Sequence, residues 1–225
     1  MRNLYDPRSF DHLVDEFDFA ASLKRRPDFF LKHLPKRRRR ALDVGCGTGT
    51  LAHELARHFD SVLAIDISEP MLAFARKKRS APNLEYRRAD ANALELEGEF
   101  DAIVSHTTFH HLEDVGKTLA TLRAALAPEG RIVIIDMVSE REASSRYVYA
   151  SHAFVVFIPN IFYHGLRAAV RLFRFQTSRA WLDHLTTDCF LTEAGFREVY
   201  GQVLPGASFT RFKYFVGVVW QAPAK

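Results

Sequence analysis

The 225-residue sequence has few cysteines, no long hydrophobic run and no low-complexity segment. Its two cysteines, Cys46 and Cys189, do not form the pattern of a disulfide framework or a zinc cluster, so we expect a reducing, cytoplasmic setting. The longest apolar patch, residues 153–158, is far too short to span a bilayer. Residues 1–13 also lack an apolar run, so no signal peptide is expected.

The overall composition suits one globular domain with a substantial core, since 48% of the residues are hydrophobic and 26% are charged. A net charge of +4 permits an anionic partner without requiring one. The one dense basic run, residues 36–40, directly precedes a predicted strand. Such a run is more typical of a solvated strand edge than of a nucleic-acid site, and no aromatic residues interleave with it. We therefore expect no nucleic-acid partner.

A glycine-rich turn, residues 45–49, follows a short apolar strand and precedes a predicted helix. The glycines allow a sharp turn, leave room for a ligand and are expected to expose peptide N–H groups near a helix N-terminus. Asp66 ends the next apolar run, about 20 residues after the first glycine, the spacing that brings a carboxylate to a ribose in a βαβ unit. A dinucleotide fingerprint would have its third glycine at position 50, where Thr50 stands.

The segment Leu-Asp-Val-Gly-Cys-Gly-Thr-Gly, residues 42–49, resembles the first motif of class I S-adenosylmethionine (SAM)-dependent methyltransferases. The resemblance implies an α/β fold: a Rossmann-like seven-stranded, mostly parallel sheet with a C-terminal antiparallel hairpin, helices on both faces and a helical lid. It also implies SAM as cofactor, S-adenosyl-L-homocysteine as product, and Asp66 as the acceptor for both ribose hydroxyls. A nicotinamide enzyme and a turn that binds nothing are the alternatives.

From residue 40 onward, apolar runs alternate with helical patterns, which predicts a parallel α/β sheet. The predicted strands are 41–44, 62–65, 84–88, 100–104, 131–137, 196–203 and 212–220, and the helices between them are 50–59, 68–78, 115–126 and 187–194. The last two strands are too close in sequence for a helical crossover and must be antiparallel. We expect one domain, residues 1–225, comprising N-terminal lid helices (1–39), a SAM-binding core (40–138), a lid insertion (139–180) and the C-terminal part of the sheet (181–225).

The predicted cofactor contacts lie where the first four strands end, because ligands of open parallel sheets bind outside the carboxyl ends of the strands. The resemblance implies contacts to the methionine part, the ribose and the adenine of SAM. The residues are Gly45, Gly47, Asp66, Ile67, Met71, Asp90, Ala91 and Ser105.

The segment Ser105–Asp114 lacks the [D/N]-P-P-[Y/F] sequence of amino-methylating relatives and resembles the small-molecule branch. His106 and His110 are the candidate general bases, since histidine titrates near neutral pH. A metal site is the alternative role for these histidines, but no carboxylate or cysteine stands at ligand spacing, so we expect none. Candidate substrate-binding residues in the lid are Tyr5, His12, Arg146, Tyr149 and His152.

Together these features predict a SAM-dependent methyltransferase that acts on O, N or C of a small-molecule metabolite. The aromatic and basic lid residues favour an apolar or aromatic substrate with an anionic group. The alternatives are an RNA methyltransferase that uses residues 36–40 and a non-catalytic SAM-binding protein. A monomer or a homodimer is expected.

Overall fold

The structure, a computed structural model, describes residues 13–23, 27–140, 146–186, 188 and 190–224. The chain divides into two compact units. We call residues 27–140 and 190–224 the sheet unit, and residues 13–23, 146–186 and 188 the helical unit.

The sheet unit contains a seven-stranded sheet in the order β3-β2-β1-β4-β5-β7-β6. The first five strands run parallel, and β7 is antiparallel to both β5 and β6. The strands are β1 (Arg40–Val44), β2 (Ser61–Asp66), β3 (Leu84–Arg88), β4 (Phe100–His106), β5 (Leu126–Met137), β6 (Ser208–Phe212) and β7 (Phe215–Gln221). The predicted mostly parallel sheet with a C-terminal antiparallel hairpin is confirmed.

Helices cover both faces of this sheet, because consecutive residues of β1, β2 and β4, which point to opposite faces, are buried. The helices of the unit are α2 (Pro27–Lys32), α3 (Thr50–Leu55), α4 (Glu69–Lys78), α5 (Val115–Ala124) and α9 (Glu193–Val203). On one face α5 and α9 pack with Leu42 and Val44 of β1. On the other face α2, α3 and α4 pack with Ala41 of the same strand.

The helical unit contains α1 (Val14–Ser22), α6 (Arg146–His164), α7 (Leu166–Gln176) and α8 (Arg179–Leu185). Its core is small and consists of Leu13, Ala20, Leu172 and Phe175. Arg171 of α7 pairs with Glu16 of α1 at 2.9 Å, so the N-terminal segment and the insertion after β5 belong to one unit. None of the helices in the described ranges has the length and apolar character that a bilayer crossing needs.

The predicted strand at residues 196–203 is wrong, because this segment lies in helix α9. Thr192 caps the helix by accepting a hydrogen bond from the Gly195 amide, so Gly195 lies within the first turn and does not end a helix. Phe196 and Tyr200 are four residues apart and stack at 3.9 Å on the buried face. The sixth strand is Ser208–Phe212, of which only Phe212 lay in a predicted strand.

Several other boundaries also differ from the predicted ones. Helix α3 ends at Leu55 rather than at residue 59, and α5 ends at Ala124 because β5 already begins at Leu126. Helix α2 was assigned to the lid but packs on the sheet, since Phe30 is buried in the sheet core. The helical insertion extends beyond residue 180, through α8.

Candidate active site

The glycine turn connects the end of β1 to α3 through three residues with positive φ, namely Gly45 at 71°, Gly47 at 52° and Gly49 at 82°. The expected exposure of its peptide N–H groups is wrong. The amides of Gly45 and Cys46 donate to the Ile65 carbonyl at 2.8 and 2.9 Å, and that of Gly49 donates to the Cys46 carbonyl. The turn is therefore held mainly by hydrogen bonds to the end of β2, and its glycines serve close approach rather than anion binding.

Close approach is most evident at Gly45, which lies against the loop that follows β4. A Cβ atom at Gly45 would be 2.1 Å from Oγ1 of Thr108. The Thr108 hydroxyl donates to the Gly45 carbonyl at 3.4 Å, and the preceding residue Thr107 has a φ of 57°. The two strand-end loops thus fit together only because position 45 carries no side chain.

Asp66, at the end of β2, is fixed by two backbone donors. Its Oδ2 accepts from the Gly47 amide at 2.7 Å, and its Oδ1 accepts from the Ser68 amide at 2.9 Å. Burial raises the pKa of this carboxyl, while the two amide hydrogen bonds act in the opposite direction. A carboxylate has about four lone-pair sites, so each oxygen retains capacity for a further donor such as a ribose hydroxyl.

A second carboxyl, which sequence reasoning missed, lies two residues before Gly45, the first residue of the turn. Asp43 is buried within β1, and its Oδ2 contacts no hydrogen-bond partner among the described residues. Burial, and next the charge of Asp66, raise its pKa to about 8. The signal was an acidic residue inside an otherwise apolar strand, where an ionised group is costly.

The remaining predicted adenosine contacts follow β2 and β3. Ile67 is half-buried, whereas Met71 is fully buried in α4. Asp90 is exposed, and its Oδ1 accepts from the backbone and side-chain amides of Asn92 at 2.9 and 3.0 Å. The Ala91 carbonyl accepts from the Thr118 hydroxyl. The Ala89 amide donates to the Asp66 carbonyl at 3.0 Å, so the segments that carry Asp66 and Asp90 are neighbours.

At the end of β4, Ser105 and His106 differ in environment. Ser105 is fully buried and donates its hydroxyl to the Val44 carbonyl at 2.7 Å, so this oxygen ties β4 to β1. His106 is half-buried, and its ring lies edge-on to that of Phe30 at 5.8 Å. The cofactor contact of Ser105 and the catalytic role of His106 stay predictions.

His110 is paired with a carboxylate that the sequence did not single out. Its Nδ1 lies 2.5 Å from Oδ1 of Asp136, and its backbone amide donates to Oδ2 of the same side chain at 2.9 Å. Asp136 lies near the end of β5, next to the strand that leads to His110. The pair resembles the oriented histidines of general-base sites, in which a carboxylate fixes the imidazole.

A buried tyrosine lies beside this pair. Burial, and next the charge of Asp136, raise the pKa of Tyr200 well above its usual value, so its hydroxyl stays protonated.

The predicted substrate residues fall elsewhere. Tyr5 and His12 lie outside the described residues. Arg146, Tyr149 and His152 are all on α6 in the helical unit, where Arg146 pairs with Asp183 at 2.7 Å. The structure places Gly45, Asp66 and Ser105 at or next to the ends of β1, β2 and β4, while the cofactor role of these residues and the substrate role of the α6 residues stay predictions.

Strand-end carboxylates beside a glycine turn, on a sheet with this strand order, define a nucleotide-binding α/β domain. The family described as "Methyltransferase domain" matches residues 42–134. An uncharacterized methyltransferase of Mycobacterium tuberculosis is 37% identical over 99 residues, which cover 44% of this chain and 50% of the relative. A demethylmenaquinone methyltransferase of Thermus thermophilus is 36% identical over 148 residues, which cover 62% of this chain and 66% of that protein.

Among solved structures, an S-adenosylmethionine-dependent methyltransferase from Mesorhizobium loti matches with a TM-score of 0.62. The match covers 88% of this chain and 99% of that one at 21% identity, which shows the fold alone. The chain spans about half the length of the Mycobacterium relative. On these matches, residues 42–134 form a methyltransferase domain, and the chain has the fold of SAM-dependent methyltransferases.

Proposed function

We propose that the protein transfers a methyl group from SAM to a small-molecule acceptor. The observation that carries the proposal is the Asp66 carboxylate, which two backbone amides orient at the end of β2 beside the glycine turn. An ionised acceptor matches the two vicinal hydroxyls of a ribose, since hydrogen bonds to a charged partner are the stronger kind. Gly45 and Gly47 leave the turn without side chains on which the methionine part could clash.

The bound cofactor supplies an electrophilic methyl group on a sulfonium. The protein's part is to align the acceptor with it, to exclude water and, where the acceptor needs it, to remove a proton. Alignment alone is worth about 7–11 kcal/mol of barrier. His110, oriented by Asp136, and His106, at the end of β4, are the candidate bases.

A small molecule is favoured over RNA because two guanidinium groups of the basic run, those of Arg37 and Arg40, contact other side chains of the protein. Arg37 donates to Asp101 at 2.5 Å, and the amides of Arg39 and Arg40 donate to the same carboxylate. The Arg40 guanidinium lies 4.3 Å above the ring of Phe100. The similarity to the Thermus relative, a demethylmenaquinone methyltransferase, supports an apolar aromatic acceptor for this chain as well.

Calorimetric titration with SAM tests the cofactor site. Replacing Asp66 with Ala should weaken binding by about 100-fold or more, because two charge-assisted hydrogen bonds are lost. The matched control is Asp60→Asn, which removes a charge from an exposed residue just before the other end of β2 and should leave the affinity unchanged. Equal affinity of the wild type and Asp66→Ala, with both folded by circular dichroism, would refute the site.

Incubation of a metabolite extract with deuterium-methyl SAM tests the reaction. A mass gain on one compound, absent with Asp66→Ala, identifies the acceptor. Tight SAM binding without release of S-adenosylhomocysteine would instead favour the non-catalytic alternative, and labelling of RNA alone would favour the RNA methyltransferase.

The base is tested by the pH dependence of kcat. His110→Gln and Asp136→Asn should lower kcat together and remove the same ionisation from the profile, because the carboxylate acts through the ring. Unchanged SAM affinity in both variants shows that the fold of the site is kept. If only His106→Gln altered the pH dependence of kcat, His106 and not His110 would be the general base.

A further inference from the structure

Helix α6 exposes most of its apolar surface. It has 19 residues, and Ala153 is its one buried residue. Between Arg146 and His164 its sequence contains no Asp, Glu, Lys or Arg. A helix of this composition normally buries a large part of its surface in a hydrophobic core. Folding of the chain therefore does not account for the apolar character of α6.

The exposed side chains of α6 form one continuous stripe. Tyr147, Phe154, Val155, Ile158 and Phe162 follow one another at spacings of three, four or seven residues, apart from the adjacent pair, which places them on one face. Tyr147 is 87% exposed and Phe162 is 85% exposed. We call these five residues the α6 stripe. Large contiguous apolar patches on a protein surface mark interaction sites.

The turn between α6 and α7 extends the stripe to basic residues. Tyr163, which is 80% exposed, and Leu166 flank Gly165, whose φ is 83°. Arg167 follows at once and is exposed on α7. An aromatic ring and a leucine beside an arginine form the side-chain combination that lies at the boundary between lipid headgroups and acyl chains.

Helix α7 then presents arginines along its outer face. Arg167, Arg171 and Arg174 recur at spacings of four and three residues and line a cavity of about 470 Å³ together with Glu16 and Val170. Arg171 pairs with Glu16 at 2.9 Å. Neither Arg167 nor Arg174 forms an ion pair with another residue in the part of the chain that the structure describes. The inner face of α7 is apolar and packs in the small core through Leu172 and Phe175.

We propose that the α6 stripe and the α7 arginines dock the protein on the surface of an anionic lipid bilayer. The stripe carries no acidic residue that lipid phosphates would repel, and the exposed arginines of α7 in the same unit complement their charge. The rings of Tyr147 and Tyr163 suit the interface because each has an apolar body and a hydroxyl that can stay wet, and the apolar ring of Phe162 suits the acyl side. The helix lies on such a surface without crossing it. The inference concerns the helical unit and does not depend on methyl transfer.

Co-sedimentation of the full chain with lipid vesicles tests the proposal. The protein should bind vesicles of phosphatidylglycerol and phosphatidylcholine, and it should bind pure phosphatidylcholine more weakly. Added salt should release it, because the screening length falls from about 10 Å at 0.1 M to about 3 Å at 1 M. The double change Ile158→Ser and Phe162→Ser should weaken binding by roughly tenfold or more, since two exposed apolar side chains lose their lipid contact.

The charge contribution has a matched control. Replacing Arg167 and Arg174 with Gln should weaken binding by roughly fivefold for each charge at low salt. Replacing Lys77 and Lys78 with Gln removes the same charge from the last turn of α4 in the sheet unit and should leave vesicle binding unchanged.

Three outcomes would overturn the proposal. The first is a wild-type protein that ignores anionic vesicles, and the second is equal binding by the wild type and the stripe variant, with both folded by circular dichroism. The third is a stripe variant that loses self-association in sedimentation velocity while vesicle binding stays the same, which would assign the stripe to a second copy of the chain.

Discussion

The sheet unit and the helical unit use apolar residues in opposite ways. In the sheet unit, strands such as β1 are buried on both faces, and two large side-chain clusters fill the space between sheet and helices. In the helical unit, the core cluster consists of four described residues, none of them on α6. The most apolar helix, α6, has one buried residue, Ala153. Apolar composition therefore stabilises the fold of the first unit and supplies a surface in the second.

Because of this difference, substitutions in the two units should affect the free energy of unfolding to different extents. Substitutions in the sheet unit should act on unfolding and on the candidate site together, because the strand ends carry both. Substitutions on the outer face of α6 should leave unfolding almost unchanged. The four predictions below test that contrast, from the largest expected effect to the smallest.

The largest effect is expected from the buried Asp43 as the pH changes. Its folded-state pKa of about 8 lies above its ordinary value of 3.8, so between these values the folded chain holds a proton that the unfolded chain has released. The stability from this group is present below pH ~4 and is lost as the pH rises through about 8, at up to about 1.4 kcal/mol for each pH unit. Asp43→Asn should remove this slope.

Urea unfolding of the wild type and Asp43→Asn across this pH window measures the difference between their two curves. Parallel curves would show that the Asp43 carboxyl is ionised in the folded state.

Gly45→Ala should destabilise the sheet unit by about 2–5 kcal/mol. A positive φ strains any residue with a Cβ, and the added atom would meet Oγ1 of Thr108 at 2.1 Å. Gly206→Ala is the matched control, because its φ of 82° is similar but no atom lies within 4 Å of the new Cβ. It should cost about 1 kcal/mol. Denaturant midpoints compare the two variants. An equal loss of stability in both would mean that the loop after β4 moves to accommodate the new methyl group.

Asp101→Ala should cost about 2–4 kcal/mol, because it leaves the backbone amides of Arg39 and Arg40 without their acceptor. Asp101 is buried, whereas Glu99, two residues earlier, is exposed. Glu99→Ala should change stability by less than about 0.5 kcal/mol. Similar melting temperatures for both variants would mean that the basic run is not held by Asp101.

Phe162→Ser on the α6 stripe should change the free energy of unfolding by less than about 0.5 kcal/mol, because the ring is exposed. Leu172→Ala in the core of the same unit should cost about 2–4 kcal/mol. Thermal unfolding followed by circular dichroism measures both. A large loss with Phe162→Ser would show that the stripe is covered within the chain itself.

The parallel strands β1 and β2 and the cofactor end of the sheet were predictable because these two strands are short apolar runs, of which the first is followed by Gly45 and the second ends at Asp66. The sequence 196–203 was not, since Phe196, Val199, Tyr200 and Val203 satisfy helical spacing while their β-propensity favours a strand. The hydrogen bond from the Gly195 amide to Thr192 decides between the two, and a glycine at that position suggested the end of a helix instead.

The site was predictable only where a residue follows a strand. Asp66 follows an apolar run and stands out, whereas Asp43 and Asp136 lie inside strands that burial patterns assign to packing. The partnership of Asp136 with His110 depends on the adjacency of β4 and β5, which residue spacing does not encode.

The pairing of β5 with β7 has a consequence for how the protein is made. Residues 131–137 receive their antiparallel neighbour from residues 215–221, which leave the ribosome only after the whole helical insertion has been synthesised. Until then one side of β5 is an open edge that can pair with any other extended chain. Nascent chains paused within the insertion therefore expose a strand edge that β7 covers in the folded protein.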